Sequence, residues 1–233
     1  MKKQTIMLFG DLHFPYNHID AFDFLKAVKK KYKPTDVICT GDLIDFNSIN
    51  YHEKDPNSIS QEEELEEATL LIEELGKLFP NLDIVEGNHD RLPIRKAKSI
   101  GLHSRFIKDN KEVFNMPKNW NWYHEVNRTL ITGQNLLVRH YLTKEPFKTA
   151  EYYNTCYVQG HSHEDFKLWW FMDKNKNYWG ATIGCLVDDK SLAMAYNKGN
   201  LKRPELGCMV IVEGVPKLIP LRLKNNIWTG ELE

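Results

Sequence analysis

The chain has 233 residues, of which 42% are hydrophobic and 27% charged, a composition typical of a folded globular protein. The 31 Lys and Arg residues nearly balance the 32 Asp and Glu residues, which excludes a whole-molecule electrostatic attraction to nucleic acid or membranes. No apolar run approaches the roughly 20 residues of a membrane span, and the N-terminal apolar stretch is too short for a signal-peptide core. We therefore expect one domain over residues 1–233 that is cytoplasmic by default and does not associate with membranes.

The first half of the chain alternates between strand-like and helix-like patterns. Short β-rich runs are separated by amphipathic patterns with apolar residues at helical spacing. The predicted order is strand 5–9, helix 18–32, strand 36–40, helix 60–79 and strand 82–86. Ser60 and Glu63 have the spacing of a capping box at the start of the second helix. This alternation predicts a parallel α/β sheet with right-handed crossovers.

The second half is predicted to be rich in β-structure. The strand-like runs are 130–139, 156–159, 166–172, 178–183, 207–212 and 217–223, with one helix-like stretch at 145–153. The polar run 173–177 is typical of a hairpin turn. The polar stretch 188–205 is predicted to be a long loop that overhangs the site as a lid.

The four cysteines stand singly in or beside apolar runs, with no C-x-x-C pair. They are Cys39, Cys156, Cys185 and Cys208. This usage indicates buried free thiols in a reducing compartment and disfavours a cysteine zinc site.

Polar residues follow five of the strand-like runs, at the point where each run ends. The five segments are DLH at 11–13, GDLID at 41–45, GNHD at 87–90, His140, and GHSH at 160–163. A single histidine is more often structural, but here carboxylates, an amide and imidazoles recur at successive strand ends. Ligands bind at the carboxyl ends of strands in open α/β sheets, so we expect these side chains to converge. Such donors suit divalent ions such as Mn²⁺, Fe²⁺ or Zn²⁺.

The ordered set D-x-H, G-D-x-x-D, G-N-H-D, a lone histidine and G-H-x-H resembles the calcineurin-like metallophosphoesterase superfamily. The motifs cover about residues 5–165, and the rest of the chain resembles the family only in being rich in predicted strands. The resemblance implies an α/β fold, a four-layer αββα sandwich of two mixed β-sheets flanked by helices. It also implies two divalent metal ions at the strand ends, with Mn²⁺ as the first expectation and Fe²⁺, Zn²⁺, Ni²⁺ or Co²⁺ as alternatives.

The resemblance further implies seven metal ligands. Asp11, His13 and His163 would hold one ion. Asn88, His140 and His161 would hold the other, and Asp42 would bridge both. The fourth family motif is usually His followed by Gly, whereas here Tyr141 follows His140. His103 and His124 are therefore competitors for that ligand position, although neither follows a convincing strand. His18 and His52 lie shortly after metal motifs, and we interpret both as ordinary histidines.

Two further residues receive catalytic roles from the resemblance. His89 is expected not to bind the metals but to protonate the leaving group, and Asp90 is expected to orient the His89 ring. Asp45 suits a supporting role better than metal ligation. Capping of a helix or turn is the alternative interpretation of Asp45 and Asp90.

The implied activity is hydrolysis of phosphate esters, in which a metal-bridging hydroxide attacks phosphorus in line. We expect nucleotide or nucleic-acid phosphodiesters as substrates, because Arg91 opens a basic run next to the G-N-H-D motif. A solvated helix face is the alternative interpretation of that run. Tyr141 is the best candidate for a base or leaving-group contact, although aromatic residues in this half are more often sheet core.

Two alternative functions stay open. One is a phosphoprotein or small phosphomonoester phosphatase. The resemblance implies G-D-x-x-D-R-G and G-N-H-E motifs for a protein phosphatase, whereas here Phe46 and Asn47 follow Asp45 and Asp90 replaces the Glu, which disfavours the phosphoprotein branch. The other is a catalytically silent metal-binding interaction module. The full set of motif residues argues against that alternative.

Overall fold

The computed structural model describes residues 3–51, 55–173, 176–188, 190–191 and 203–232. Most of the described helices and strands belong to two mixed β-sheets and the helices that cover them. None of the helices in these ranges is long and apolar enough to cross a membrane.

The first sheet contains the predicted parallel strands. Its strands are β1 (Thr5–Phe9), β2 (Asp36–Cys39), β3 (Leu82–Val85), β4 (Trp120–Tyr123), β10 (Gly207–Val212) and β11 (Val215–Pro220), in the spatial order β11-β10-β1-β2-β3-β4. Strands β1 to β4 are parallel, and β10 and β11 add antiparallel strands beside β1. The crossovers are helices α1 (Ala21–Tyr32) and α2 (Gln61–Leu78). The side chain of Ser60 and that of Glu63 form the predicted capping box.

The second sheet contains most of the β-rich half. Its strands are β5 (Val126–Thr129), β6 (Asn135–Arg139), β7 (Cys156–Gln159), β8 (Phe166–Asp173) and β9 (Lys176–Ile183), in the spatial order β5-β6-β7-β9-β8. Strands β6, β7 and β9 are parallel, and the connection from β6 to β7 is helix α5 (Pro146–Tyr153). The predicted hairpin joins β8 to β9, and its residues 174 and 175 lie outside the described ranges.

Shorter elements lie between and after the sheets. They are α3 (Leu92–Ser99), α4 (Asn110–Val113), the 3-10 turns Asn47–Ile49 and Ser104–Phe106, and the hairpin of β12 (Leu223–Lys224) and β13 (Ile227–Trp228).

Two large apolar clusters fill the space between the layers of the fold. Along β1, Met7 and Phe9 pack into the cluster under α1 and α2, whereas Ile6 and Leu8 pack into the cluster between the sheets. This period of two follows from the pleat of a strand that is buried on both faces. A smaller cluster, which includes Ala150, packs α5 on the outer face of the second sheet. The predicted four-layer αββα sandwich is thus confirmed.

Strands β4 and β5 were not among the predicted strands. Their sequences, WNWY and VNRT, contain polar residues that break the apolar pattern. Each occupies the edge of its sheet, where one side of the strand is unpaired and polar side chains are tolerated. The predicted strand 130–139 is also shorter, because Leu130 and Gly133 form a turn closed by backbone hydrogen bonds.

Candidate metal centre

The carboxyl ends of β1, β2 and β3 and those of β6 and β7 lead into one cluster of polar side chains. Four of its members have left-handed backbone conformations, with φ of 51° at Asp11, 50° at His13, 47° at Asp42 and 64° at His161. Such conformations cost a non-glycine residue about 1–3 kcal/mol and occur preferentially at functional sites. The chain therefore turns sharply after β1, β2 and β7 and directs these side chains inward.

Glycines in two of the motifs make room for the carboxylates. A Cβ atom at Gly87 would collide with the carboxylate of Asp42, and one at Gly160 would collide with that of Asp11. The glycine of G-N-H-D and that of G-H-x-H are thus required by the close approach of the neighbouring loops.

One group of donors consists of Asp11, His13 and His163. Nε2 of His163 lies 3.2 Å from Oδ1 of Asp11 and 3.2 Å from Nε2 of His13. Oδ1 of Asp11 also accepts a 2.9 Å hydrogen bond from the backbone N–H of His161. These donor atoms lie within 4.8 Å of one another, as the ligands of a single ion do.

A second group contains Asp42, His140 and His161, with Asn88 beside it. Nε2 of His140 lies 3.1 Å from Oδ2 of Asp42, 3.1 Å from Oδ1 of Asn88 and 3.2 Å from Nδ1 of His161. Nδ1 of His140 donates to the carbonyl oxygen of Thr40 at 3.0 Å, which leaves the lone pair on Nε2 directed into the group. Oδ2 of Asp42 lies 3.8 Å from Nε2 of His13, so Asp42 stands between the two groups.

The donor atoms fit divalent cations in chemistry and in arrangement. Oδ2 of Asp11 is buried with no hydrogen-bond partner among the described residues, which is costly for a carboxylate unless a cation compensates it. Nε2 of His13 and Nε2 of His163 lie 3.2 Å apart and face each other. Carboxylate and imidazole donors grouped in this way are typical ligands of borderline divalent metals.

The charge of Asp42 dominates the titration of the second group. Burial by itself would raise the pKa of Asp42, but His140, His89 and His13 hold it well below its usual range. Burial opposes the protonation of His140, whereas Asp42 favours it and raises the pKa of His140 to about 9. Both shifts arise because the buried carboxylate favours a positive charge beside it, and a divalent cation satisfies that requirement as a proton does.

His89 lies beside the metal-binding donors and is held by Asp45. Its Nδ1 is 2.7 Å from the backbone carbonyl oxygen of Asp45 and 3.3 Å from the Asp45 carboxylate, and its backbone N–H donates to Oδ1 of Asp42 at 2.8 Å. Burial opposes protonation, but the hydrogen bond to Asp45 and the charge of Asp42 raise the pKa of His89 to about 10. The acidic groups around this imidazole thus favour its protonated form.

The expectation that Asp90 orients the ring of His89 is wrong. One oxygen of Asp90 accepts from the backbone N–H groups of Leu43 and Ile44, each at 3.1 Å, and the other accepts from that of Gly87 at 2.8 Å. Asp90 thus ties the loop after β2 to the loop after β3, which is close to the turn-capping alternative. Burial raises the pKa of Asp90 to about 7, although these three donors favour its ionised form.

Arg91 and Tyr141 lie at the rim of the cluster. Both line a cavity of about 580 Å³ that Asn88, His140 and His161 also line. The ring of Tyr141 contacts that of His161, with centroids 4.5 Å apart, and its side chain is partly exposed. Their placement suits contact with a bound ligand.

Within the described ranges, three other histidines lie outside the two donor groups. His103 is exposed and accepts a hydrogen bond from the backbone N–H of Arg105, and Nδ1 of His18 accepts from that of Asp20. His124 is exposed but lines the cavity beside His140, a position that its short edge-strand context does not reveal. His52 and most of the predicted loop 188–205 lie outside the described residues.

Glu64 supports the site but was not singled out from the sequence. It lies on α2 and is buried, and its carboxylate accepts hydrogen bonds from the backbone N–H groups of Asn47 at 2.5 Å and Ser48 at 3.0 Å. It thereby anchors the 3-10 turn that follows Asp45. A glutamate on a charged helix carries no sequence signal for this role, since neighbouring glutamates face solvent.

The family model described as calcineurin-like phosphoesterase matches residues 4–198, and the chain belongs to this family. Its members generally bind divalent metal ions, in agreement with the Asp and His groups found here. No curated protein matches the chain.

Solved structures give distant similarities. Vacuolar protein sorting 29 from Cryptosporidium parvum is 18% identical, with 99% of this chain and 95% of that chain covered and a TM-score of 0.50. Vps29 from Chaetomium thermophilum is 14% identical, with coverages of 99% and 94% and a TM-score of 0.46. Nuclease MPE from Pseudomonas putida is 12% identical, with coverages of 91% and 87% and a TM-score of 0.44. At these identities the similarity concerns the fold alone.

Proposed function

We propose that the chain is a dinuclear-metal-dependent hydrolase of phosphate esters, acting on nucleotide or nucleic-acid phosphodiesters. The observation that carries this proposal is the pair of adjacent donor groups joined at Asp42, with a protonatable histidine beside them. A structural metal site would need a single closed set of ligands, often including cysteine.

The two donor groups are the proposed ligands of two metal ions. Asp11, His13 and His163 hold one ion, and Asn88, His140 and His161 hold the other, while Asp42 contacts both. When bound, two divalent ions supply positive charge for the phosphate oxygens and lower the pKa of water. Mn²⁺ is the ion that we would supply first.

His89 is the proposed general acid rather than a ligand. The donor atoms of His13, Asp42 and His89 also lie within 4.8 Å of one another. However, His13 and Asp42 already belong to the two groups above, and Asp45 engages Nδ1 of His89. Its Nε2 is the nitrogen that carries a proton to the departing oxygen. Such proton transfer contributes about 10²–10⁴-fold to a rate.

Arg91 and Tyr141 are the proposed substrate contacts. A phosphodiester at Asn88 and His140 extends into the cavity that both residues line. Arg91 offers positive charge to a second phosphate, and the exposed face of Tyr141 offers a stacking surface for a base.

The test is hydrolysis of bis-p-nitrophenyl phosphate and p-nitrophenyl phosphate with Mn²⁺, alongside metal analysis of the protein. We expect diester turnover that requires metal and is lost in Asp42→Asn. The matched control is Asp23→Asn, which removes an exposed carboxylate of α1 and is expected to behave as wild type. Preference for the monoester would favour the phosphoprotein or small-phosphate alternative. Bound metal without turnover on either ester, with several divalent ions, would favour the silent interaction module.

A further inference from the structure

The segment from residue 91 to residue 108 is strongly basic, although the chain as a whole has a net charge of −1. This basic segment comprises α3 and the 3-10 turn Ser104–Phe106. It contains no Asp or Glu and six cationic residues, which are Arg91, Arg95, Lys96, Lys98, Arg105 and Lys108. The charge is thus concentrated in one part of the surface.

The basic segment begins inside the candidate site. Arg91 and Arg95 line the same cavity of about 580 Å³ as the proposed ligands Asn88, His140 and His161. Lys98, in the last turn of α3, is not among the residues that line this cavity. An anion bound at the metals therefore meets the first two cations of the segment directly.

Two of these six cations have an acidic partner among the described residues. Arg91 lies 3.4 Å from a carboxylate oxygen of Glu86, and Lys108 lies 3.2 Å from one of Glu112. Within the described ranges no carboxylate comes within 4.0 Å of the other four, which are Arg95, Lys96, Lys98 and Arg105. Unpaired like charges repel one another, so such a cluster is stabilised by an external polyanion.

Aromatic side chains accompany the charges. Tyr51 is 56% exposed, with Nζ of Lys96 3.7 Å and Cζ of Arg95 5.3 Å from its ring centroid. Phe106, in the 3-10 turn of the segment, is 77% exposed. Aromatic rings interleaved with cations are the features by which proteins bind single-stranded nucleic acid, because bases stack on the rings while the cations follow the phosphates.

We propose that the basic segment is a track for single-stranded nucleic acid and that the substrate is a polynucleotide strand, an inference that rests on the proposed phosphodiesterase function. The strand lies with one phosphodiester at the metal centre and continues over Arg95 toward Lys98 and Arg105. Helix α3 alone spans about 12 Å at 1.5 Å per residue, so a mononucleotide at the metals cannot reach both ends of the segment. A longer strand can.

The test compares a small and a long substrate in the full-length, Mn²⁺-loaded protein. The variant is Lys98→Glu/Arg105→Glu, and neither residue lies among the proposed ligands or in the cavity. We expect unchanged turnover of bis-p-nitrophenyl phosphate and a raised KM for a labelled oligothymidylate. In fluorescence-anisotropy titrations, the slope of log affinity against log salt should fall by about 0.7 for each lost phosphate contact, about 1.4 in total.

The control variant is Lys30→Glu/Lys77→Glu, which changes the net charge equally at the ends of α1 and α2 that precede β2 and β3. This control should leave unchanged the turnover of bis-p-nitrophenyl phosphate, the KM for oligothymidylate and the slope of log affinity against log salt. Oligothymidylate affinity that is insensitive to Lys98→Glu/Arg105→Glu, or equally sensitive to the control, would overturn the track. So would tighter binding of a phosphopeptide than of the oligonucleotide. Failure of wild type on bis-p-nitrophenyl phosphate would instead count against the proposed function, and anisotropy would still test the track.

Discussion

Nδ1 of His13 donates a 2.6 Å hydrogen bond to Oδ1 of Asp45, and both side chains are buried. The carboxylate fixes the proton on Nδ1 and leaves the lone pair of Nε2 facing Asp11 and His163. The backbone carbonyl of the same aspartate accepts from His89. One residue therefore orients a proposed ligand and the proposed acid.

Asp45→Asn should weaken metal binding without removing a ligand. An asparagine side chain is a poorer acceptor for Nδ1–H of His13, and loss of such a supporting partner typically costs about 10–100-fold in metal affinity or activity. The measurement is Mn²⁺ titration by calorimetry, with Asp23→Asn as the control. Unchanged affinity in Asp45→Asn would show that this hydrogen bond does not tune the site.

His89→Gln should separate metal binding from catalysis. We expect unchanged metal content, because His89 is not a proposed ligand, and a loss of about 10²–10⁴-fold on esters with poor leaving groups. The loss should be smaller with p-nitrophenyl esters, whose leaving group departs without a proton. The comparison is kcat for a nucleotide diester and for bis-p-nitrophenyl phosphate. His103→Gln, at an exposed histidine, serves as the control. A variant that loses metal along with turnover would make His89 a ligand.

Glu64→Gln should destabilise the fold. One carboxylate oxygen that accepts a backbone N–H would be replaced by an amide NH₂, which leaves a buried donor unpaired at a cost of about 1–3 kcal/mol. Urea denaturation measures the change in free energy of unfolding. Glu66→Gln, on the exposed side of the same helix, should be nearly neutral. Equal stability of the two variants would contradict the anchoring role of Glu64.

The four cysteines should be unreactive in the native protein. All four are buried free thiols, and burial raises the pKa of Cys156 to about 11. Thiolate, the reactive form, is therefore both scarce and inaccessible. Titration with Ellman's reagent should detect no thiol before unfolding and all four in guanidinium chloride. Rapid reaction of any one of them in the folded protein would contradict this.

The motif residues and most of the strands could be predicted from local sequence. Strands β1, β2 and β7 are mostly apolar runs followed by polar residues, because a strand that is buried on both faces is predominantly apolar. The polar residue that follows such a run, for example Asp11, is therefore conspicuous. Because parallel strands end at one edge, the convergence of these residues could be predicted as well.

The partners of the supporting carboxylates were decided by the tertiary structure. Asp45, Glu64 and Asp90 are ordinary acidic residues in the sequence, and it was the family resemblance that implied Asp90 as the partner of His89. In the folded chain, loops from different strands meet, and backbone N–H groups of the loops after β2 and β3 bind the Asp90 carboxylate. Asp45, distant from His89 in sequence, holds its ring instead. Sequence reveals which side chains the strands deliver to one edge, but the hydrogen bonds among them depend on distances that only the packing of the loops sets.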